Sequence, residues 1–412
     1  MKLRIDTDGL PMFFLWIYII IECSFGYSRL QQIFLMLFVG STLCFSLLRG
    51  TFHIGRFGSG YILMTIWSII QLYTNICFSQ ESSAKMVGTL LINCLFIVAF
   101  YIVLVNSNDM IQNIEKLINA FGISLCIICL GMGRDIFSGR LALHDAQGIS
   151  FSIGPLVSSI SPNGISLWCT IAFLLCVYCK DVIRKKKYFI LEVFFLFGII
   201  LCASRKGLII LIVSFFIYYI FSANRSTKYF KVIIFTLFLL LLVLLLVTNE
   251  TLYNMVGYRI TELFNMVISK TTDVDIVGGS LRTRAALLDY AKGYFAQSPL
   301  IGYGIDAFKA MCPLHIVADN NYYEILVAGG MVGFVLYYFP WFLIVKEIFS
   351  VKLKQKFYYL ILAIAAIAII ADFTSSSYYL RETLIPIIIL DGFTKYCSSR
   401  IQGSEAIKNN EV

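Results

Sequence analysis

Apolar residues occupy this chain in long blocks separated by short polar breaks, and many of the blocks reach the roughly 17 to 25 residues that a helix needs to cross a bilayer. By that measure twelve transmembrane helices are expected. The first six lie near 10–26, 30–48, 60–78, 87–105, 117–133 and 164–179, and the second six near 188–204, 207–222, 231–248, 321–345, 357–373 and 382–394. The expected fold is all-α, a polytopic integral membrane helical bundle. Two longer polar stretches break the pattern, 134–163 and 249–320, the second with amphipathic helices of its own. No internal repeat, coiled-coil heptad or low-complexity block is visible. The expected organisation is one membrane domain over 1–397, followed by a hydrophilic cytoplasmic tail over 398–412 without fixed structure.

Composition agrees: 59% of the 412 residues are hydrophobic and 14% charged, and the mean hydropathy of +0.83 lies outside the range of soluble globular chains. Lys and Arg resist translocation and therefore mark cytoplasmic loops. Lys2/Arg4, Arg49/Arg56, Lys116, Lys180 with Arg184 to Lys187, Arg225/Lys228/Lys231, Lys346/Lys352/Lys354/Lys356 and Lys395/Arg400/Lys408 all fall on alternate loops of the twelve-helix arrangement. Both termini are then cytoplasmic, and 134–163 and 249–320 are external. The formal charge of +9 is thus mostly a topology signal and no argument for a nucleic-acid partner. The first apolar helix lacks a small-residue cleavage site and reads as a retained span. Cys126/Cys129 and Cys176/Cys179 have metal-ligand spacing, but they lie inside apolar helices without His or acidic partners and read as small buried hydrophobes. Only Cys312 is expected outside.

Cations on the outer side are the exceptions that need a reason. Ser204-Arg205-Lys206-Gly207 breaks two apolar runs with adjacent positive charges, although snorkelling to headgroups would also accommodate them. Arg259, Arg282 and Arg284 lie in the long external stretch, the latter two just before Ala285 to Ala291, whose spacing suits an amphipathic helix along the membrane surface. Pro299 should end that helix, and Gly302 and Gly304 should let the chain turn tightly. Asp319-Asn320 then precedes the next span, where helix capping would be reason enough for Asp319. Gly329, Gly330 and Gly333 give that span a small face for packing. Asp273 and Asp275 read as a flexible turn, and no metal ligand set is evident.

Together these motifs resemble the bacterial O-antigen polymerase and O-antigen ligase family. Its members share a Ser-Arg-x-Gly turn, an arginine-led external helix, a Pro-Leu-x-Gly-x-Gly turn, and a following helix that begins with His-Asn or a related pair and carries Gly-x-x-Gly. Here the corresponding residues, in the same order, are Ser204 to Gly207, Arg284, Pro299 to Gly304, Asp319-Asn320 and Gly330 to Gly333. Ser161-Pro162-Asn163-Gly164 also looks like the family's Pro-Asn start of an earlier span. One departure stands out: the ligase branch's histidine position holds Asp319, which favours a polymerase, though His315 leaves a shifted alignment open.

The resemblance implies transfer of a glycan from an undecaprenyl-diphosphate-linked donor to a hydroxyl of a second lipid-linked glycan, at the outer face of the bacterial inner membrane. Guanidinium groups hold phosphate oxygens bidentately and never lose their charge. They therefore suit the lipid diphosphate that leaves, with Arg205 and Arg284 as the catalytic cations and Arg282, Lys206 and Arg259 as binding groups. Asp319 would take the proton of the acceptor hydroxyl, and Asn320, Gly302 and Gly304 would complete the substrate site. No cofactor and no metal are implied. The expected partners are the lipid-linked oligosaccharide, membrane lipids, a chain-length regulator and a flippase. The rival classes are a ligase and a lipid-linked oligosaccharide flippase, the latter disfavoured because the unusual cations collect at external helix ends and not at a midplane between repeats.

Overall fold

The computed structural model describes residues 9–25, 28–106, 109–137, 162–202, 204–222, 225–248, 279–350, 355–373, 375 and 378–410. Among them every regular element is an α-helix. A helix occupies each of the twelve apolar stretches: α1 Gly9–Phe25, α2 Arg29–Arg49, α3 Arg56–Tyr73, α4 Gln80–Val105, α5 Met110–Phe137, α6 Pro162–Ile183, α7 Lys187–Leu201, α8 Arg205–Phe221 and α9 Arg225–Thr248, and after the long polar stretch α12 Asn321–Ser350, α13 Gln355–Phe373 and α14 Arg381–Asn410. Two further helices, α10 Gly279–Gln297 and α11 Ala307–Met311, precede α12. Six of the fourteen, α2, α4, α5, α6, α12 and α13, are both long and apolar enough to cross a membrane, and α1 and α8 are apolar but shorter. The chain is a multi-helix membrane protein. Several boundaries differ from expectation, two of them in polar segments. Helix α5 continues through Arg134 to Phe137, and α14 continues through Ser398 to Asn410, where the polar composition alone suggested a tail without structure.

The chain divides into two compact units, one formed by residues up to Tyr18, Arg29–Lys116 and Leu287–Val412, the other by Ile19–Ser28 and Leu117–Ala286. In the first, α3 packs along α12, α14 lies against α4 and α13, and α2 covers α4. Its centre is aromatic: Phe57 meets Tyr337 and Trp341 edge-on, and Tyr18, Phe38 and Phe96 form a second group. In the second unit α6 packs on α7 and α8, with Phe215 and Phe235 joining α8 to α9. Gly122 and Gly198 face Phe195 and Leu125 within it.

Helix α12 is not one straight rod. Gly330 has φ 62° and ψ −161°, a conformation essentially restricted to glycine, and it breaks the helix in its third turn. The freed backbone groups are not left bare. Tyr303 and Gly304 donate their N–H groups to the carbonyls of Val327 and Ala328 at 2.9 and 2.8 Å, and Met331 and Val332 donate to Pro299 and Leu300 at 2.9 and 3.2 Å. Trp67 Nε1 gives a hydrogen bond to Gly329 O, and Gln71 Nε2 gives one to Ala328 O and another to Ile301 O. Buried backbone groups need partners, and the Pro299–Gly304 turn supplies them.

Candidate functional site

In the second unit, the Ser-Arg-Lys-Gly turn and the Pro-Asn start of α6 come together. Ser204 has extended backbone angles and caps α8, its Oγ accepting from Gly207 N at 3.1 Å. The same hydroxyl donates to Asn163 Oδ1 at 2.7 Å. Pro162 opens α6 at a position where its missing N–H costs nothing. Ser166 donates to Asn163 O, and a Cβ on Gly207 would stand only 2.4 Å from Ser166 Cβ. The N-termini of α6 and α8 therefore lie side by side, and Arg205 and Lys206 occupy the first turn of α8. Lys206 is buried. Two parallel helix starts add partial positive charge to these cations, which suits an anion.

Arg284 lies half-buried in the second turn of α10. Arg282 is on the same helix, but its side chain and that of Arg205 are not among those described. Arg259, with Asp273 and Asp275, lies outside the described residues. The amphipathic pattern of α10 is realised, yet its apolar face is covered by protein: Leu287 and Ala291 join Phe308, Cys312, Ala318 and Val327 in one cluster. Tyr294 OH donates to Met311 O at 2.9 Å, and burial, with Cys312 and Tyr290 nearby, raises its pKa. Cys312, in this cluster, is fully buried within the protein, while Cys126, expected to be buried, is exposed.

The glycines of the Pro299–Gly304 turn are packed against protein. Gly302 has φ 69°, and a Cβ there would be 2.5 Å from Ala328 O; one on Gly304 would be 2.4 Å from Cys77 Sγ. Their bareness lets the turn dock into the break in α12.

At the start of α12, Asn320 and not Asp319 is the cap: Asn320 Oδ1 accepts from Tyr323 N at 3.2 Å. Asp319 takes a left-handed φ of 53° and is partly exposed. Its two neighbours are held. Ala318 N donates to the buried Glu324 carboxylate at 2.8 Å, and Asn320 Nδ2 donates to Phe373 O at 3.3 Å. Behind them is a polar cluster that the sequence reading missed. Asp372, 1% exposed, accepts from Asn321 Nδ2 and Tyr338 OH at 3.1 and 2.9 Å, and Tyr378 N donates to Asn321 Oδ1 at 2.9 Å. Arg381 is buried as well, its Nε donating to Asn93 Oδ1 at 2.9 Å. Asn93 in turn donates to Tyr379 O and Tyr61 OH. Among the described residues no group of three or more His, Cys, Asp or Glu could hold a metal ion.

These features define a helical membrane protein with a capped pair of helix starts in one unit and a turn docked into a broken helix in the other. Residues 190–338 match the family model described as O-antigen ligase. That stretch contains the α8 turn, α10, the Pro299–Gly304 turn, Asp319-Asn320 and the break in α12, so the motifs that resemble the O-antigen polymerase and ligase family lie within the matched part of the chain. No curated protein matches the chain.

Proposed function

We propose that the protein is a polysaccharide polymerase, acting on O-antigen or capsular repeat units at the outer face of the bacterial cytoplasmic membrane, with twelve crossings and both termini inside. The donor is a glycan on undecaprenyl diphosphate. The acceptor is a sugar hydroxyl of another lipid-linked repeat unit. The acceptor oxygen attacks the anomeric carbon, the bond from that carbon to the phosphate oxygen breaks, and the lipid diphosphate leaves with the electron pair. Arg205 and Arg284 stabilise the growing negative charge, the role in which fixed cations contribute most. Arg282, Lys206 and Arg259 help hold the donor, Asp319 takes the acceptor's proton, and Asn320, with the turn shaped by Gly302 and Gly304, borders the sugars. The reaction needs no metal in this reading.

The observation that carries it is the docking of Ser204 on Asn163, which sets two helix starts side by side and puts Arg205 and Lys206 in the first turn of one of them. The family description favours a second reading, a ligase that moves finished glycan to another acceptor. Aspartate at position 319, in place of the ligase branch's histidine, speaks for polymerisation. A chain-length regulator and a flippase are the partners such a polymerase would work with.

Arg205→Ala and Arg284→Ala in the native host, read as glycan ladders at matched protein abundance, test the proposal. Each should lower polymer formation by about 10²- to 10³-fold, the scale for losing one charge-stabilising donor, and leave single repeat units. Long unattached polymer would indicate a ligase, and substrate trapped inside would indicate a flippase. Normal ladders from both variants would defeat the assigned roles.

A further inference from the structure

The turn that carries Asp319 is bolted down from behind by a carboxylate that lies deeper in the protein. We propose that Asp372 is a positioning residue for the Asp319-Asn320 turn. Asn321 is the bolt. Its amide is engaged at both ends, Nδ2 by Asp372 Oδ2 and Oδ1 by Tyr378 N, and it is fully buried. Tyr338, on α12 beyond the break at Gly330, donates to the same Asp372 oxygen, so one carboxylate atom joins the first turn of α12, its later turns and the end of α13. The next residue of α13, Phe373, accepts from Asn320. Two consecutive asparagines are thus tied to two consecutive residues of α13. On the other side of Asp319, Ala318 is tied to Glu324.

Asp319 itself needs this restraint. Its left-handed backbone is uncommon for a residue with a side chain and persists only where its surroundings impose it. Asn321 Nδ2 also donates to Tyr338 OH at 3.0 Å, so the three side chains close a triangle; remove the Asp372 carboxylate, and Tyr338 loses its acceptor and Asn321 one of two, in a buried place where an unmatched polar group is costly. The first turn of α12 is then held less firmly, and Asp319 with it, by the remaining contacts of Ala318, Asn320 and Asn321. The catalytic consequence of this loosening rests on the reading of Asp319 as the base; the restraint itself does not.

The test pairs a reciprocal exchange with a conformational probe. In Asn321→Asp, two carboxylates face each other and repel; in the double variant Asn321→Asp/Asp372→Asn, an amide and a carboxylate face each other again with their places exchanged. With the purified full-length protein in detergent and a lipid-linked repeat unit as substrate, N321D should lower kcat by about tenfold or more with KM little changed, and the double variant should recover most of the loss. Separately, D319C is reacted with a maleimide and labelling is measured on the peptide that carries residue 319. Adding D372A or N321D should raise its labelling rate several-fold, and adding the exchanged pair should return it to the D319C value. An unchanged labelling rate in D319C/D372A would overturn the positioning role, whatever the reaction proves to be. If labelling responds as expected and activity does not, the restraint stands and Asp319 is not the base. Failure of the exchanged pair to recover either readout would show that Asp372 acts otherwise than through Asn321.

Discussion

Ser204 serves two partners with one hydroxyl, capping α8 and holding Asn163 of α6, and the contact is possible only because Gly207 has no side chain. A Cβ at Gly207 would have to share space with Ser166 Cβ and Oγ, at 2.4 and 2.5 Å. Overpacking of this kind typically costs about 1–3 kcal/mol. Gly207→Ala should therefore lower the thermal midpoint of the detergent-solubilised protein, and Gly207→Ala/Ser166→Gly should regain much of it; a double variant as unstable as the single one would refute the close approach. Ser204→Ala should cost about 1 kcal/mol through the lost cap alone. The sequence displays this site well, because Ser-x-x-Gly and Pro-Asn are local signals for helix starts. It does not display Asp372 or Asn93. Each is a single polar residue in an apolar run whose partner lies far away along the chain, 51 residues in the case of Asn321 and Asp372 and 288 for Asn93 and Arg381.

Glycine pairs read alike in sequence whether they pack two helices or break one, and α12 shows the difference at the level of elements. The small face expected from Gly329, Gly330 and Gly333 is partly real: Trp67 lies 3.6 Å from a Cβ built on Gly329 or Gly333, which is ordinary contact. Gly330 does something else. It turns the chain where the Pro299–Gly304 turn docks, and a Cβ there would fall 2.3 Å from Leu300 O. Local sequence could not reveal that, because the break is stabilised by a turn 30 residues earlier and by Gln71 on α3, whose bond to Ala328 O spans 257 residues. Gly330→Ala should combine backbone strain of about 1–3 kcal/mol with a clash against backbone that has little room to yield, and should sharply reduce folded protein recovered from membranes. Gly333→Ala, on the same helix and beside the same tryptophan, should change stability by no more than about 0.5 kcal/mol. Equal behaviour of the two variants in a thermal melt would mean that the docked turn is not a structural requirement.

At the scale of the whole molecule, the charges that predict topology and the contacts that hold each unit point the same way. In the first unit, the start of α3, the end of α12 and the lower part of α14 meet where Arg56 pairs with Glu347, Ser398 donates to Glu347, and Asp391 accepts from Phe57 N. All lie beside loops expected inside. The opposite end of α3 meets the long polar stretch, with Phe78 N donating to Tyr303 O at 2.8 Å and Ser83 Oγ to Ile305 O at 2.7 Å. A bonded pair cannot be split across a bilayer, so residues 78 and 303 share a side, as the alternation of Lys and Arg requires independently. In the second unit, Lys180 pairs with Glu192, and Lys228 and Lys231 lie over Phe221 and Tyr219, all at the end of the unit away from Asn163 and Ser204. Single cysteines at Asn75 and Ser298 should then react with an impermeant maleimide added to intact cells, while cysteines at Lys185 and Lys346 should react only after permeabilisation. Because residues 298 and 185 belong to different units, this comparison tests the orientation of both. Labelling of residues 298 and 185 from the same side would remove one crossing from the count between them and put the cations of α8 and the turn of Asp319 on opposite faces of the membrane, where no single reaction could use both.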